Sequence, residues 1–383
     1  MAGLAPMQLF RDVAVVPVSK VQRSVPIGGP IWHYFDAQVR ARHCRYGRPA
    51  DQNPQVPVQT IPVDQPAIWG GHLAHHFGHL VAEHLTRLPQ SLRDRPGDLL
   101  LFTIEPGADA SNLPGHVWDV LDWHGVPRDR VHLVTVPVLA RELRVAAQGE
   151  TLGQRPTSPQ YLDMLEERAR QNGLRPEPNR LVFVTRAGLV NAGRGGHAGE
   201  TYLVELLPQL GVQVMDPARM PVRAQMSLYA GAEVLVFSEG SALHGRTLLG
   251  RVQQEIHVLR RRSMRNIAHS QLAPRCSRLV YHQVLAGRLG CATETRGSRP
   301  DLEVALYDVE ILFHVFAGLG IDLRPHWDDA AYRQAVSNDL AGWMTANPTS
   351  RTQHVENLDM LADLDLDPPP GLAADPAAAS ANH

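Results

Sequence analysis

In the second half of the chain, short apolar runs alternate with segments of helical periodicity. Residues 181–185, 212–215, 234–237 and 255–259 are mostly apolar and lack the in/out alternation of a half-exposed strand. Runs of that kind predict strands buried on both faces, as in a parallel sheet covered by helices on either side. The segments between them supply those helices at 200–210, 222–230 and 241–249, with a glycine-rich loop over 186–199. The first half repeats the pattern less regularly, predicting strands at 99–104 and 131–136 and helices at 117–124 and 160–173, the last stopped by Asn172-Gly173. Pro49, Pro54, Pro57, Pro62 and Pro66 keep residues 45–68 extended or turning, and a helix is expected to start near Gly70. Arg175-Pro176-Glu177-Pro178-Asn179 reads as a hinge. Beyond the run Arg260-Arg261-Arg262 the pattern is less regular, with helices predicted at 302–319 and 328–345 and a disordered tail at 363–383. The expected division is an α/β domain over 1–174, a second α/β domain over 175–325, a helical segment over 326–362 and the tail.

The chain's 383 residues exceed what one core usually organises, which agrees with two domains. Lysine plus arginine number 37 against 39 aspartate plus glutamate, so no global field recruits nucleic acid or an anionic membrane. Lys20 is the sole lysine, and the remaining basic residues are arginines, whose planar forks suit bidentate anion contacts. Cys44, Cys276 and Cys291 show no paired spacing, which argues against a disulfide framework or a cysteine zinc site and for a reducing compartment. The start of the chain lacks a signal-peptide pattern, and no apolar run reaches the roughly 18–20 residues that span a bilayer. A cytoplasmic location is expected, with peripheral association at the inner face of the membrane through partners.

Three segments concentrate the chemistry. In the first, a helix from about Phe77 places His79, Glu83 and Arg87 at four-residue spacing, drifting only about 40° per step. A carboxylate flanked by a histidine and an arginine suits a general base; an ordinary Glu83–Arg87 ion pair on an exposed helix is the plainer reading. The histidines His72, His75, His76, His79 and His84 also invite a metal reading, although the HExxH order is missing. In the second, Arg186 and Arg194 flank a glycine-rich loop after a strand and can converge on one anion, while Glu200 opens the next helix. In the third, Glu239-Gly240-Ser241 turns a buried strand into a helix that carries His244, the kind of turn at which open α/β sheets hold charged ligands. Gln225 lies in the helix before that strand.

Together these segments resemble glycosyltransferase family 61, the capsular-polysaccharide-biosynthesis-like glycosyltransferases. The family's first motif, Asn-x-Gly-His-x-x-x-Asp/Glu-x-x-x-Arg-Leu, is followed by Gly78-His79, Glu83 and Arg87-Leu88, with His76 where asparagine is frequent. Thr185-Arg186, Arg194 and Glu200 match the second, with Gly199 in place of an asparagine. Gln225, Ala232, the strand at 234–237 and Gly240-Ser241-Ala242-Leu243 match the third. Glu239 and His244 depart from the family's usual histidine and asparagine.

The resemblance implies a GT-B architecture, two Rossmann-like domains facing a cleft. It implies an inverting enzyme of surface-polysaccharide or glycoconjugate synthesis, needing no obligatory metal and no other cofactor. The donor would be a nucleotide-sugar, a UDP-linked sugar among the candidates, and the acceptor a saccharide or other hydroxyl. Glu83 would then deprotonate the acceptor with His79 orienting it. Arg186, Arg194, Glu239, Gly240, Ser241 and His244 would bind the donor, supported by Arg87, Glu200 and Gln225. Two rivals stand beside this reading: a metal-dependent hydrolase or isomerase built on the histidines from His72 to His84, and a non-catalytic nucleotide-binding relative.

Overall fold

A computed structural model describes residues 4–22, 25–153, 157–262, 266–293 and 297–369. The first half is built on a mixed sheet of strands β1 (Gln8–Gln22), β2 (Val25–Pro30), β3 (Ile61–Val63), β4 (Ala67–Leu73), β5 (Leu99–Ile104), β6 (Val131–Leu133) and β7 (Val138–Val145). Their order is β2-β1-β7-β4-β5-β6, with β3 also on β7. β7, β4, β5 and β6 run parallel, whereas β1 is antiparallel to both its neighbours. The long strand β1 is not foreseen by the apolar pattern, because only part of it is buried. The segment at Gly70 corrects a second expectation. It lies inside β4, every residue of which is buried, and the helix begins only at Phe77. A central strand covered on both faces shows no alternation to set it apart from a buried helix.

The second half holds a wholly parallel sheet of β8 (Asn179–Val184), β10 (Gln213–Met215), β11 (Ala232–Ser238), β12 (Glu255–Leu259) and β13 (Arg278–His282), in the order β10-β8-β11-β12-β13. β9 (His197–Ala198), β14 (Leu285–Leu289) and β15 (Val304–Tyr307) form a small third sheet. The helix expected over 302–319 is therefore β15 followed by a shorter helix, Val309–Gly318, whose start is capped by Asp308. The last helices, Asp329–Ala346 and Arg351–Asp363, complete the described fold; residues 370–383 of the expected tail lie outside the described residues. No helix among the described residues is long and apolar enough to cross a membrane.

Alternation along the strands divides the parallel sheet's two faces between two cores. Leu181, Phe183, Val236 and Leu259 face a core shared with the C-terminal helices through Tyr332, Val336 and Trp343. Val182, Val184, Leu235, Phe237 and Val258 face the other way, into a core that continues through Leu80, Leu85, Leu100, Phe102 and Trp123 of the first half. The two sheets thus share one continuous apolar core.

Polar contacts fix how the halves dock. Arg275, fully buried, reaches both oxygens of Glu150 at 3.1 and 3.0 Å and Thr157 Oγ1 at 3.0 Å. Gln271 Nε2 donates to the Ala82 carbonyl, and Trp123 Nε1 to that of Leu248. Removing one partner of a buried ion pair strands the other charge. Glu150→Ala is therefore expected to destabilise the protein by about 3–5 kcal/mol in chemical denaturation, and adding Arg275→Met to restore part of that loss. Additive losses would show that the pair does not couple.

Asp339, in the helix Asp329–Ala346, accepts hydrogen bonds from the Gly199 amide and Thr201 Oγ1. Burial outweighs these bonds and raises its pKa to about 6. A carboxyl raised in the fold favours its protonated form, so its stabilising contribution is complete below the unfolded value and is lost as pH rises through about 6. Between pH 4 and 7 the stability curve of Asp339→Asn should be flatter than wild type, with the variant equal or more stable at pH 7. An unchanged slope would contradict this assignment.

Candidate active site

The site lies where the carboxyl ends of the parallel strands in both halves meet. From the first half, the chain leaves β4, passes His75 and His76, and enters the helix Phe77–His79, where the His76 side chain caps the His79 amide. The next turn, Leu80–His84, is a π-helix closed by Leu85 N–H to the Leu80 carbonyl at 3.0 Å. Such widened turns frequently occur at functional sites. Here the wide turn keeps His79 and Glu83 together and carries Arg87 away.

Glu83 is fully buried. Its Oε1 lies 2.5 Å from His79 Nδ1, and its Oε2 lies 2.7 Å from Arg45 Nε and 3.3 Å from His43 Nε2. Its backbone carbonyl accepts from Gln148 Nε2 and Thr86 Oγ1. Burial works against its charge, but the contacts of His43 and His79 and the field of Arg45 outweigh it and hold the carboxyl well below the usual range. An ionised Glu83 accepts Nδ1–H from His79, which leaves Nε2 of that ring as the basic nitrogen. His79 is a quarter exposed and lines the cleft, whereas Glu83 lies behind it. The arginine beside Glu83 is Arg45 and not the expected Arg87. Arg87 is buried and donates to the carbonyls of Ala41, Arg42 and Ala146, a fastening role.

The second half presents cations. Arg186 follows β8 and packs so closely on Gly240 that a Cβ there would lie 2.0 Å from its Nη1. Arg186, Arg194, Gly240, Ser241 and His244 line the same cleft as His76 and His79, a cavity of about 1790 Å³. Gln225 lines it too, and its amide holds the turn at 217–220 through the carbonyls of Pro217 and Met220. Burial, reinforced by His79, pushes His244 down to about 4, and burial with the same neighbour does so for His76, so both are neutral at pH 7.

Glu200 and Glu239 stand behind this wall. Glu200 accepts from Thr185 Oγ1 at 2.6 Å, the Arg186 amide at 2.5 Å, Ser238 Oγ at 2.6 Å and Tyr307 OH at 3.3 Å. It thereby ties the ends of β8, β11 and β15 together. Glu239, expected at the donor, is 1% exposed, and its Oε2 accepts the backbone amides of Arg261 and Arg262 at 2.8 and 3.2 Å. It fixes the two arginines that the sequence reading left without a role. Arg261 and Arg262 both line the cleft, and the Nε atoms of Arg186, Arg261 and Arg262 are buried without partners. Burial and the neighbouring Arg262 and Arg186 lower Arg261 to about 9, and the carboxylates of Glu239 and Glu303 offset only part of that. Their only prior signal was the basic run after β12, whose register onto the cleft depends on Glu239.

The histidines of the rival metal reading pack ring against ring, His72 on His84 and His76 on His79. His72 meets Thr103 and Glu105, and His84 stacks on His43 with ring centres 4.6 Å apart. Among the described residues, no group of three or more histidine, cysteine, aspartate or glutamate side chains is arranged to hold a metal ion.

Two α/β halves thus bring an arginine-lined cleft up to His79 and the carboxylate behind it. Residues 77–249 match the family model Glycosyltransferase 61, the family that the motifs resemble. No curated protein matches the chain.

A cluster of arginines lining one cleft should bind a polyanion. Inorganic pyrophosphate is expected to raise the melting temperature, and Arg261→Gln to weaken its binding by about tenfold or more, the worth of one charge-assisted hydrogen bond. Equal protection of wild type and variant would place the anion elsewhere.

Proposed function

We propose that the protein is an inverting glycosyltransferase of GT-B organisation that moves a sugar from a nucleotide-sugar to a hydroxyl acceptor. The observation that carries this reading is one cleft, formed largely by the segment that matches the family 61 model, lined by His79 with Glu83 behind it and by Arg186, Arg194, Arg219, Arg261 and Arg262. His79 Nε2 takes the proton from the acceptor hydroxyl, and Glu83 holds the imidazole in the required tautomer and stabilises the imidazolium. The freed oxygen bonds to the anomeric carbon from the face opposite the leaving group. The carbon–oxygen bond to phosphate breaks, and its electron pair departs with the nucleoside diphosphate. Arg186, Arg194, Arg261 and Arg262 balance the charge that grows there, the task a metal ion performs in other transferases. The enzyme on this reading works without an obligatory metal.

This assignment reverses the roles given to Glu83 and His79 by the motif resemblance. Glu83 has no exposed surface from which to reach an acceptor, and its two oxygens already face His79, Arg45 and His43. Synthesis of a bacterial surface polysaccharide or glycoconjugate in the cytoplasm, at the inner face of the membrane, suits such an enzyme.

Glu83→Gln and His79→Asn are each expected to lower kcat by about 10²–10⁴-fold while nucleoside diphosphate affinity is retained, and the product should have the opposite anomeric configuration to the donor. Initial rates and product NMR are the measurements. Near-normal turnover in either variant would remove the pair from the chemistry, and a retained configuration would exclude a single displacement.

A further inference from the structure

The edge strand β13 tethers two parts of the cleft's rim. At its last residue the His282 carbonyl accepts the Arg260 amide at 2.9 Å, immediately before the cleft-lining Arg261 and Arg262. One residue earlier, Tyr281 OH donates to the carbonyl of Ile267, another cleft-lining residue, at 2.5 Å. Within the parallel sheet β13 has one neighbour, β12, and its residues are half-buried or exposed. A strand with so little burial opens more readily than the core behind it.

The side of β13 turned from Tyr281 carries a histidine pair. His257 of β12 is buried, its Nδ1 lies 2.8 Å from His282 Nε2, and the two rings stack with centres 5.1 Å apart. Glu255 Oε2 lies 3.1 Å from His257 Nε2 and 3.4 Å from Arg278 Nη1. An ionised carboxylate only accepts, so His257 keeps its proton on Nε2 and its bare Nδ1 accepts Nε2–H from His282. The pair lines a cavity of about 620 Å³ that shares no residue with the cleft. Facing it are Glu255 of β12, Arg278 of β13, Arg180 of β8 and His314 of the helix Val309–Gly318, a surrounding with one carboxylate and two guanidinium groups. Burial, His257 and Arg278 bring His282 down to about 4, and burial lowers His257 against the pull of Glu255, so both rings are neutral at pH 7. A proton added at His282 Nδ1 sets a cation beside Arg278. A second, at His257 Nδ1, replaces the bond between the rings with two N–H groups facing each other.

We propose that the His257–His282 pair is a proton-operated latch on β13: neutral, it closes the strand onto β12 and seats the arginine rim of the cleft, and protonated, it loosens both. His282 joins the two ends of this device, giving its ring to the latch and its carbonyl to the chain that enters Arg261. Histidines lowered in the fold stabilise it fully above the unfolded value of about 6.5, and that contribution is lost as pH falls toward about 4. The link to the cleft rests on the reading of its arginines as an anion site and makes that site weaken in acid.

The test follows amide hydrogen exchange of Arg278–His282 in the full chain at about pH 7 and pH 5, corrected for intrinsic rates. Wild type is compared with His257→Phe/His282→Phe, which keeps a ring pair with no proton to gain, and with His282→Gln, whose amide can still donate to His257 Nδ1. Between the two pH values wild type is expected to lose protection by about tenfold and each variant by about twofold or less. Inorganic pyrophosphate at about ten times its dissociation constant, binding only the closed rim, should raise the protection of this strand in wild type at pH 5 by about tenfold. An equal pH response in wild type and both variants overturns the latch. A response confined to wild type that bound pyrophosphate leaves unmoved overturns its link to the cleft. Failure of wild type to bind pyrophosphate defeats the anion reading of the cleft and the link with it, while the pH response still decides the latch.

Discussion

A buried carboxylate is costly unless opposite charge and hydrogen-bond donors surround it, and Glu83 is buried completely. Its partners come from three places: His79 one turn earlier, His43 and Arg45 at the hairpin of Cys44–Arg45 and Arg48–Pro49, and Gln148 beneath the backbone. Thr86 carries the network onward, bonding to the backbone carbonyls of Glu83 and Glu150, and Glu150 grips Arg275 of the second half. The base, the hairpin and the docking of the two sheets are parts of one polar assembly enclosed by a shared apolar core.

The two halves divide the chemistry as they divide the chain. In the proposed mechanism the first supplies the group that receives a proton, and the second supplies positive charge for a departing anion. Each wall is supported by a buried carboxylate that never touches the cleft. Glu83 sets the tautomer of His79, while Glu239 holds the backbone from which Arg261 and Arg262 project. Glu200 has a third supporting place, joining strand ends so that Arg186 leaves β8 in a fixed direction.

Much of the second half was legible because its strands are continuous apolar runs and its helices have ordinary periodicity, as at β11 and the helix Val222–Gly231. The first half was less so. β1 is only partly buried, and β4 has the all-buried composition that a helix can share. Within the site, His79 with Glu83 and Arg186 with Gly240 were readable from spacing and from glycine next to a strand end. Arg87 was misplaced because four-residue spacing assumes regular helix, and the π turn at Leu80–His84 breaks that assumption. Arg45, Arg261 and Arg262 depend on contacts from distant segments, which no local pattern encodes.

The central claim is that the cleft holds a nucleoside diphosphate with its terminal phosphate between the arginines and His79. A crystal structure with the nucleoside diphosphate that most raises the melting temperature tests this directly. The account predicts phosphate oxygens on Arg186, Arg261 and Arg262 beside Gly240 and Ser241, with the β-phosphate turned toward His79 Nε2. A nucleotide bound outside this cleft, such as in the separate cavity lined by His257 and His282, or one whose phosphates point away from His79, would contradict it.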